Sequence, residues 1–398
     1  MFQEKIIFIA TYSYLAIPQY KVLTLFLKYY HNILFNVKDP LSSTFDMNHI
    51  TQDIITRYFD EYIELNDVSF NIKGIKAKIQ NYKNYQEKIL AKLKLIKPKA
   101  IISCSDMTLS DRIISSWCLN NNVPFIIIQP AILGGEHSFG KKSLGRYSLK
   151  HQVKRVILKR LIGVPLLRRQ HLFGNESQQT HLLLWSEYFA KNPDRKNTTF
   201  VGNPAYDELF NKFRKKKSRT LKNKILICTQ NIEQYYAPEK VEQVTQMYKK
   251  AITSNPELGF YIKVHPRESI QKYKSIFNEN DFPNIKIVKN HNLHDLFEIC
   301  DIQISFASTT SIEAVIFGLP IIIINPDNSF KLVDHFRGEI DIRVINVNNM
   351  PKAIATALSN DYWEIFLRKR EKFIQKMFHS ADGRSGERAA VKIRELLS

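Results

Sequence analysis

The chain has 398 residues, of which 44% are hydrophobic and 24% are charged. This balance excludes a disordered or fibrous chain, and the length predicts two domains because single cores stop growing near about 250–300 residues. The formal net charge of +20 predicts an anionic partner, which could be nucleic acid, acidic lipid, or a phosphorylated or carboxylated substrate.

Hydropathy and cysteine usage together predict a cytoplasmic protein. No run of about 18 uncharged apolar residues occurs, and the first residues lack the long apolar region and cleavage site of a signal peptide. The cysteines match neither a zinc spacing nor a disulfide framework, so we expect reduced core residues at Cys104, Cys118, Cys228 and Cys300.

In the first half of the chain, continuous apolar runs alternate with helical segments. The predicted elements are, in order, "KIIFIA", a helix in "QYKVLTLFLKYY", "NILFNV", a long charged helix from Ile72 to Leu95, "KAIISCS", a helix from Leu109 to Cys118, "VPFIIIQ", "HLLLWS" and "TTFVGNPAYDEL". Apolar strands separated by helices are typical of a parallel sheet that is covered on both faces.

The second half repeats this plan. Its predicted elements are "KILICTQ", a helix from Glu239 to Ser254, "GFYIKVH", a helix through Tyr273, "NIKIVK", a helix from Leu293 to Ile299, "DIQISF", a helix from Ser308 to Phe317, "LPIIIIN", the strand "DIRVIN" and C-terminal helices. Two doubly wound sheets follow, and the cleft between them is the expected ligand site.

Two basic runs stand out between these elements. Lys141 to Arg169 contains ten Lys or Arg and no acid, and its apolar residues fall near helical spacing, which suits either an anionic membrane surface or a solvated helix packed on its own domain. Lys212 to Lys224 has eight basic residues in thirteen and is typical of an exposed linker. We therefore predict an N-terminal domain at 1–210, a basic linker at 211–224, a C-terminal domain at 225–375, and a helix at 376–398 that could pack back toward the first domain.

His265 and Pro266 follow the strand "YIKV" at the edge where ligands bind in parallel sheets. Pro266 favours extended geometry at His265 and suits the first turn of a following helix, whose N–H groups could share an anion with the imidazole. The dipeptide could equally belong to a plain turn. Arg267 could add charge or lie exposed at the start of the helix.

Four consecutive hydroxyl residues, Ser308 to Ser311, follow the strand "DIQIS", and Glu313 lies three positions after Thr310. Hydroxyl groups and helix N–H groups together can form an anion pocket. Thr310 and Glu313 also fit a capping box, which would explain two of these residues and leave the run of hydroxyls unexplained.

These motifs resemble the donor-binding half of a GT-B glycosyltransferase. The similarity is to bacterial capsule and surface-polysaccharide enzymes, including CMP-sialic acid and CMP-Kdo transferases and CDP-glycerol glycerophosphotransferases. It rests on His-Pro, "SFASTTSIEA" and "GLPIII", with "LLLWSEYF", "VGNPAYDEL" and "ADGRSGERAAVKI" in agreement, the last of these carrying Asp382, Gly383 and Arg388. The resemblance implies two Rossmann-like doubly wound domains that face a cleft.

The resemblance also implies roles for individual residues. His265, with Pro266 fixing its direction, would donate to the nucleotide phosphate. Ser308, Thr309, Thr310 and Ser311 would bind the phosphate or a sugar carboxylate, and Glu313 would accept from ribose hydroxyls. Thr229 and Gln230 follow the first strand of the second domain and are placed near the donor by topology alone.

A general base for the acceptor hydroxyl is expected from the first domain. Asp106 follows the strand "AIIS" and could be this base or a helix cap. Glu136 and His137 follow a glycine pair in a loop, and His137 could be a base or a carboxylate ligand. No Asp-x-Asp metal motif is recognisable, so we expect no metal cofactor.

We therefore expect a cytoplasmic glycosyltransferase that moves sialic acid, Kdo or a related acidic sugar from a CMP donor to an oligosaccharide or lipid-linked surface glycan. It could lie at the inner face of the cell membrane through residues 141–169. Alternatives keep the fold with a UDP-sugar or CDP-glycerol donor, or make the chain a basic nucleic-acid-binding protein or an inactive scaffold. A UDP-GlcNAc 2-epimerase shares the fold, but its acidic catalytic set is not recognisable in this sequence. No nucleic-acid-binding motif is present, so we expect no specific nucleic acid partner.

Overall fold

The computed structural model describes residues 3–11, 13–37, 50–65, 74–130, 149–167, 179–190, 195–214, 220–234, 236–278, 280–306, 308–328, 336 and 338–398. The chain forms two compact units: unit 1 comprises Met1–Asp207 and Lys376–Ser398, and unit 2 comprises Glu208–Gln375. The first unit thus ends three residues before the predicted boundary at 210.

Unit 1 is a parallel sheet with helices. Its strands are β1 (Lys5–Ile9), β2 (His31–Val37), β3 (Glu61–Leu65), β4 (Ala100–Ser103), β5 (Phe125–Ile128), β6 (His181–Leu184) and β7 (Thr198–Phe200). Its helices before Asp207 are α1 (Ser13–Phe26), α2 (Gln52–Tyr58), α3 (Ile75–Ile96), α4 (Leu109–Asn120) and α5 (Leu149–Ile162). Among the described residues, the strand order is β3-β2-β1-β4-β5-β6-β7, so the order reverses between β1 and β4.

Unit 2 follows the same plan. Its strands are β8 (Lys224–Cys228), β9 (Gly259–Lys263), β10 (Ile285–Val288), β11 (Ile302–Ser305), β12 (Ile321–Ile324) and β13 (Ile342–Val344). The helices are α6 (Asp207–Arg214), α7 (Pro238–Thr253), α8 (Ile270–Ile276), α9 (Leu293–Ile299), α10 (Thr310–Phe317), α11 (Met350–Leu358) and α12 (Asn360–Met377). The order β10-β9-β8-β11-β12-β13 in the described part reverses between β8 and β11.

The strands form where isoleucine-rich runs can be buried on both faces. All four residues of β5 and of β12 are buried, and the pairings across both sheets are parallel. The prediction of continuous apolar strands in parallel sheets is confirmed. All four cysteines lie buried and unpaired in these cores.

Three local predictions need correction. The helix predicted in "QYKVLTLFLKYY" begins earlier, at Ser13, and includes Pro18, because burial of Ala16, Ile17 and Tyr20 against the core outweighs the proline. The edge strand β3 was not predicted, because its two glutamates interrupt the apolar pattern and four of its five residues are exposed or half exposed. The predicted linker 211–224 is helical up to Arg214, where α6 ends, and its last residue, Lys224, begins β8.

The last helix, α13 (Ser385–Leu397), belongs to unit 1 and packs against α1. Asp207 accepts hydrogen bonds from the backbone N–H groups of Ser385 (2.9 Å) and Gly386 (2.8 Å), which begin this helix. Arg388 reaches both oxygens of Asp382 (2.8 and 2.6 Å) and the carbonyl of Val201 (3.1 Å). Two separate motifs of the sequence, "VGNPAYD" and "ADGRSGER", therefore fasten α13 to unit 1.

Gly386 is required by the close approach of α13 to α1. A Cβ atom at this position would lie 2.4 Å from Cγ1 of Val22. Gly386→Ala should lower the free energy of unfolding by about 1–3 kcal/mol, because overpacking displaces neighbouring side chains. Urea unfolding should show a partial recovery in the Gly386→Ala, Val22→Ala double variant. Gly259→Ala is the matched control, since its Cβ would meet no atom nearer than 3.6 Å; an equal loss in both variants would contradict the account.

Candidate functional site

The candidate site lies at the carboxyl edge of the unit 2 sheet. The strand order reverses between β8 and β11, and ligands of open parallel sheets bind in the crevice at such a reversal. Thr229 and Gln230 follow β8, His265 follows β9, and Ser308 follows β11. Most of the residues predicted for donor binding therefore come from three neighbouring strands.

The turn after β9 is held by a buried hydrogen-bond network. The Thr229 hydroxyl accepts from the His265 backbone N–H (2.9 Å) and donates to Oε2 of Glu268 (2.6 Å). The hydroxyl of Tyr273 donates to the other Glu268 oxygen (2.8 Å), and the Glu268 N–H closes the turn onto the His265 carbonyl (2.9 Å). Thr229 is only 3% exposed, so it positions His265 instead of presenting its hydroxyl to a ligand.

Pro266 lies inside this turn. The helix that follows, α8, begins at Ile270 and is capped by Ser269, whose side chain accepts from the N–H of Gln271. The prediction that Pro266 opens the helix is wrong, because the remaining turn residues separate the dipeptide from the helix start. The free N–H groups of α8 therefore do not begin beside the imidazole.

His265 presents a neutral imidazole with a defined tautomer. Its Nδ1 accepts from the backbone N–H of Arg267 (3.2 Å), which places the ring proton on Nε2. Burial, followed by the positive charges of Arg267, Lys263 and Lys289, lowers the pKa of His265 to about 4. At neutral pH the ring is therefore an uncharged hydrogen-bond donor through Nε2.

The lowered pKa of His265 predicts a pH dependence of stability. The folded-state pKa is about 4, and an unfolded histidine titrates near about 6.5. Between these values the unfolded chain binds more protons, so the imidazole's contribution to the free energy of unfolding falls as the pH drops from about 6.5 toward 4. In urea unfolding at pH 7 and pH 5, wild type should therefore lose more stability on acidification than His265→Gln. Equal losses would contradict the assigned pKa.

Two lysines make the surroundings of His265 cationic. The Lys289 ammonium donates to the Glu268 carbonyl (2.7 Å), and the Lys263 ammonium donates to the Lys289 carbonyl. Burial lowers the pKa of Lys263. Sequence reasoning missed both residues, although a lysine at the end of an otherwise apolar strand, two positions before His265, was a usable signal.

The hydroxyl turn after β11 offers a second donor. Oγ1 of Thr310 accepts from the Gln303 amide (2.9 Å), and Oγ of Ser308 accepts from the Thr310 backbone N–H (3.3 Å). The two hydroxyls lie 2.8 Å apart. One of their two protons serves this mutual hydrogen bond, so the other can be donated to a ligand.

The other members of the hydroxyl run are placed differently. Ser311 is fully buried, and its hydroxyl bonds to that of Ser305 (2.6 Å), so it faces the core and cannot contact a ligand here. Thr309 is exposed and is the N-cap residue of α10, without a side-chain cap. Thr310 lies inside the helix, so the alternative that it forms a capping box with Glu313 is wrong.

The contrast between Ser308 and Ser311 predicts separable effects. Ser308→Ala should weaken binding of an anionic ligand about 10-fold or more, because a hydrogen bond to a charged group is worth about 1.5–3 kcal/mol, and it should also lower the melting temperature, because the Thr310 N–H loses its acceptor. Ser311→Ala should lower the melting temperature and leave affinity unchanged. Calorimetric titration with UDP and thermal unfolding of both variants measure this. A loss of affinity in Ser311→Ala alone would reverse the assignment.

Two further polar side chains complete this edge. Oε2 of Glu313 lies 3.2 Å from Nε2 of His294, and both side chains are about a quarter exposed at 21% and 25%. Gln230 is half-buried, and its Oε1 is buried with no hydrogen-bond partner among the described residues. Such an acceptor is costly to leave unsatisfied, and an N–H or O–H group of a ligand would satisfy it.

Helix α10 is fixed from its far end, which steadies the hydroxyl turn. The buried Arg370 guanidinium donates to the carbonyls of Val315 (2.7 Å) and Ile316 (2.5 Å) at the end of the helix. Gly318 closes the helix at φ 92°, where a Cβ would lie 2.5 Å from the ring of Phe213. These contacts leave α10 little freedom to shift.

In unit 1, the position of Asp106 does not support a role as the general base. Asp106 is fully buried, and the cap of α4 is formed instead by Thr108 in a capping box with Asp111. Burial chiefly, with a contribution from the Asp106 charge, raises the pKa of Asp111 to about 6. A fully buried Asp106 cannot meet an acceptor hydroxyl without rearrangement of its turn. Glu136 and His137 lie outside the described residues.

Within the described ranges, no group of three or more His, Cys, Asp or Glu side chains is placed to hold a metal ion. In the same part of the chain, no helix combines the length and apolar composition needed to cross a membrane. The expectation of a reaction without a metal stays a prediction.

Several solved structures resemble the chain over nearly its whole length. A glycotransferase of kitacinnamycin is 12% identical with a TM-score of 0.60, covering 100% of both chains. The Medicago truncatula protein UGT71G1 complexed with UDP-glucose is 10% identical with a TM-score of 0.61, covering 100% of this chain and 99% of that one. The UDP-GlcNAc 2-epimerase of Methanocaldococcus jannaschii is 16% identical with a TM-score of 0.58, covering 98% and 99%.

The strand orders and these likenesses define the fold as GT-B, built from two Rossmann-like doubly wound units. The predicted fold class is thereby confirmed, while the cleft between the units stays a prediction. No protein-family model matches the chain, and no curated protein sequence matches it.

Proposed function

We propose that the protein is a glycosyltransferase that takes its sugar from a UDP-sugar bound at the carboxyl edge of unit 2. The observation that carries the proposal is the pair of neutral donors, Nε2–H of His265 and a hydroxyl proton of the Ser308–Thr310 pair, in cationic surroundings. Neutral donors can bind phosphate oxygens without the free-energy cost of desolvating a charge of their own, and the nearby lysines still attract the anion.

In glycosyl transfer, the hydrogen-bond donors are needed at the nucleotide diphosphate, which is the leaving group. An acceptor hydroxyl oxygen forms a bond to the anomeric carbon of the sugar and gives its proton to a general base, and the bond from that carbon to the terminal phosphate oxygen breaks. The electron pair of the broken bond stays on the phosphate, whose charge grows. Preorganised donors aimed at this charge lower the barrier. His265 and the hydroxyl pair supply them, and Lys263 and Lys289 add long-range attraction.

Strand spacing favours a diphosphate over a monophosphate. His265 and Ser308 follow β9 and β11, which are separated by β8. Adjacent strands lie about 4.8 Å apart, so the two backbone anchors are separated by about 10 Å. A diphosphate can place one phosphate beside each of the two hydrogen-bond donors, whereas a monophosphate would have to accept from both donors with the oxygens of one phosphate. This spacing supports a nucleoside diphosphate donor, either a UDP-sugar or CDP-glycerol, over the CMP donor that the sequence motifs suggested.

Further residues fit the nucleoside part of the donor. Glu313, oriented by His294, would accept from ribose hydroxyls, as the sequence resemblance implies. The unsatisfied Oε1 of Gln230 would accept from a donor group of the nucleotide. Complexes with UDP-glucose and with UDP-2-fluoroglucose are among the structures that share the fold. The acceptor would be a surface glycan, as expected from the motifs.

The proposal is tested by thermal unfolding and calorimetric titration with UDP, UDP-glucose, UDP-GlcNAc, CMP, CMP-Neu5Ac and CDP-glycerol. Stabilisation by UDP and by at least one UDP-sugar is expected. Stabilisation by CMP and CMP-Neu5Ac alone would restore the CMP donor and overturn the UDP assignment. Release of UDP and N-acetylmannosamine from UDP-GlcNAc without an acceptor would make the chain an epimerase instead.

A further inference from the structure

Helix α5 in unit 1 has one face that packs on the protein and an opposite face that is also apolar. Successive residues of a helix turn by about 100°. His151, Arg155, Leu158 and Ile162 share one face and are partly or fully buried. At the same rotation of about 100° per residue, the exposed apolar residues fall on the opposite face of the helix. Packing on unit 1 therefore does not account for the apolar residues of that face.

We call these exposed residues the outer stripe. Its members and their exposed fractions are Leu149 at 80%, Val153 at 50%, Val156 at 47%, Ile157 at 49% and Leu161 at 75%. Single exposed apolar residues are ordinary, but a contiguous stripe on one helix face marks an interaction surface. The stripe is unpartnered among the described residues, although it would be stabilised by burial.

The charge around the outer stripe identifies its partner. Lys150, Lys154, Lys159 and Arg160 are exposed on the same helix, and no Asp or Glu occurs in the sequence between Glu136 and Glu176. A second copy of α5 would bring like charges together, which opposes self-association through this face. An apolar stripe on a helix that carries cations and no acid complements a lipid surface with anionic headgroups above apolar chains.

We propose that α5 docks the protein on an anionic lipid bilayer. The outer stripe enters the boundary between headgroups and acyl chains, and the lysines and the arginine contact anionic headgroups, so the helix lies in the plane of the interface. This docking does not depend on the donor nucleotide. It would place unit 1 beside any acceptor that is anchored in the same membrane.

The test is flotation of the full chain with vesicles of phosphatidylcholine alone and of equimolar phosphatidylcholine and phosphatidylglycerol. Wild type should float with the anionic vesicles only. A charge variant (Lys154→Gln, Lys159→Gln, Arg160→Gln) and a stripe variant (Val153→Ser, Val156→Ser, Ile157→Ser) should each bind about 10-fold or more weakly, because each basic residue contributes about 1 kcal/mol near an anionic surface and buried apolar area adds to it. All six positions are at least partly exposed, so the melting temperature should not change.

The net charge of +20 makes a matched control necessary, since any strongly basic protein has some affinity for anionic vesicles. The variant Lys76→Gln, Lys78→Gln, Lys92→Gln removes three exposed charges from α3 in the same unit and should bind like wild type. An equal loss in this control would overturn the assignment to α5. A concentration-dependent dimer that the stripe variant abolishes, seen by sedimentation without lipid, would overturn it in favour of self-association.

Discussion

Replacing His265 with asparagine should lower kcat/KM for transfer from a UDP-sugar by about 100-fold or more, the range seen when one preorganised donor to a developing anion is removed. Asparagine can still accept from the Arg267 N–H through Oδ1, in the place of Nδ1, but it has no donor at the position of Nε2. Glutamine carries its amide N–H₂ further out. The expected order of activity is therefore wild type, His265→Gln, then His265→Asn, which should equal His265→Ala.

The matched control for this series is His181. It too is half-buried, and burial together with Lys392 and Arg195 lowers its pKa to about 4. His181 begins β6, on the amino edge of the unit 1 sheet, and its Nε2 lies 2.9 Å from the hydroxyl of Thr199 in β7. His181→Asn should transfer sugar at the wild-type rate. Near-normal activity of His265→Asn, with folding unchanged, would return His265 and Pro266 to the role of a plain turn.

Replacing Asp207 with alanine should lower the free energy of unfolding of unit 1 by about 2–4 kcal/mol. Asp207 is 8% exposed, and its two oxygens accept from the N–H groups of Ser385 and Gly386. Alanine leaves both buried donors unsatisfied, and each such group costs about 1–3 kcal/mol. Hydrogen exchange measured by mass spectrometry should show faster exchange through α13, and urea unfolding should give the size of the effect.

Glu208→Ala is the control for the Asp207 variant. Glu208 is the next residue, it is exposed, and its carboxylate pairs only with Lys212 at 3.5 Å among the contacts described for it. An exposed pair of this kind contributes about 0.3–0.5 kcal/mol, so the control should unfold nearly like wild type. If Asp207→Ala left exchange in α13 unchanged, the carboxylate would not be what fastens this helix.

The architecture was predictable because it follows from local composition. Runs such as "FIII" and "IIII" are uninterrupted by polar residues, which only a sheet buried on both faces accommodates. Predictions failed where long-range packing outweighed a local rule. Pro18 lies within α1 because the buried face of that helix stabilises it, and the polar edge strand β3 is recognisable only once β2 lies beside it.

The sequence predicted that the candidate-site residues follow the carboxyl ends of neighbouring strands, but it did not predict which of these residues contact one another. His265 and Ser308 lie where the order of strands and helices predicted them. Thr229 and His265 are 36 residues apart in the sequence, so nothing local indicated that the Thr229 hydroxyl would hold the His265 backbone. The direction of Ser311 toward Ser305 depends in the same way on how α10 packs against β11.

The nucleotide of the donor depends on the folded sheet more than on the motifs. In the proposed site, His-Pro and the hydroxyl run would bind phosphate, which is common to CMP, CDP and UDP donors. The separation of their strands by β8 is a property of the folded sheet, and it is this spacing that favours two phosphates. The proposal assigns recognition of the nucleotide to contacts such as one with the unsatisfied Oε1 of Gln230, and a sequence motif does not encode such a contact.

A crystal structure of the protein with UDP would locate the diphosphate relative to His265 and the Ser308–Thr310 hydroxyl pair. We expect a diphosphate oxygen within about 3 Å of Nε2 of His265 and an oxygen of the other phosphate at a similar distance from the Ser308–Thr310 hydroxyl pair, which is the range of a hydrogen bond to an anion. UDP bound away from the carboxyl edge of unit 2, or at that edge with the His265 imidazole turned from the phosphates, would contradict the account.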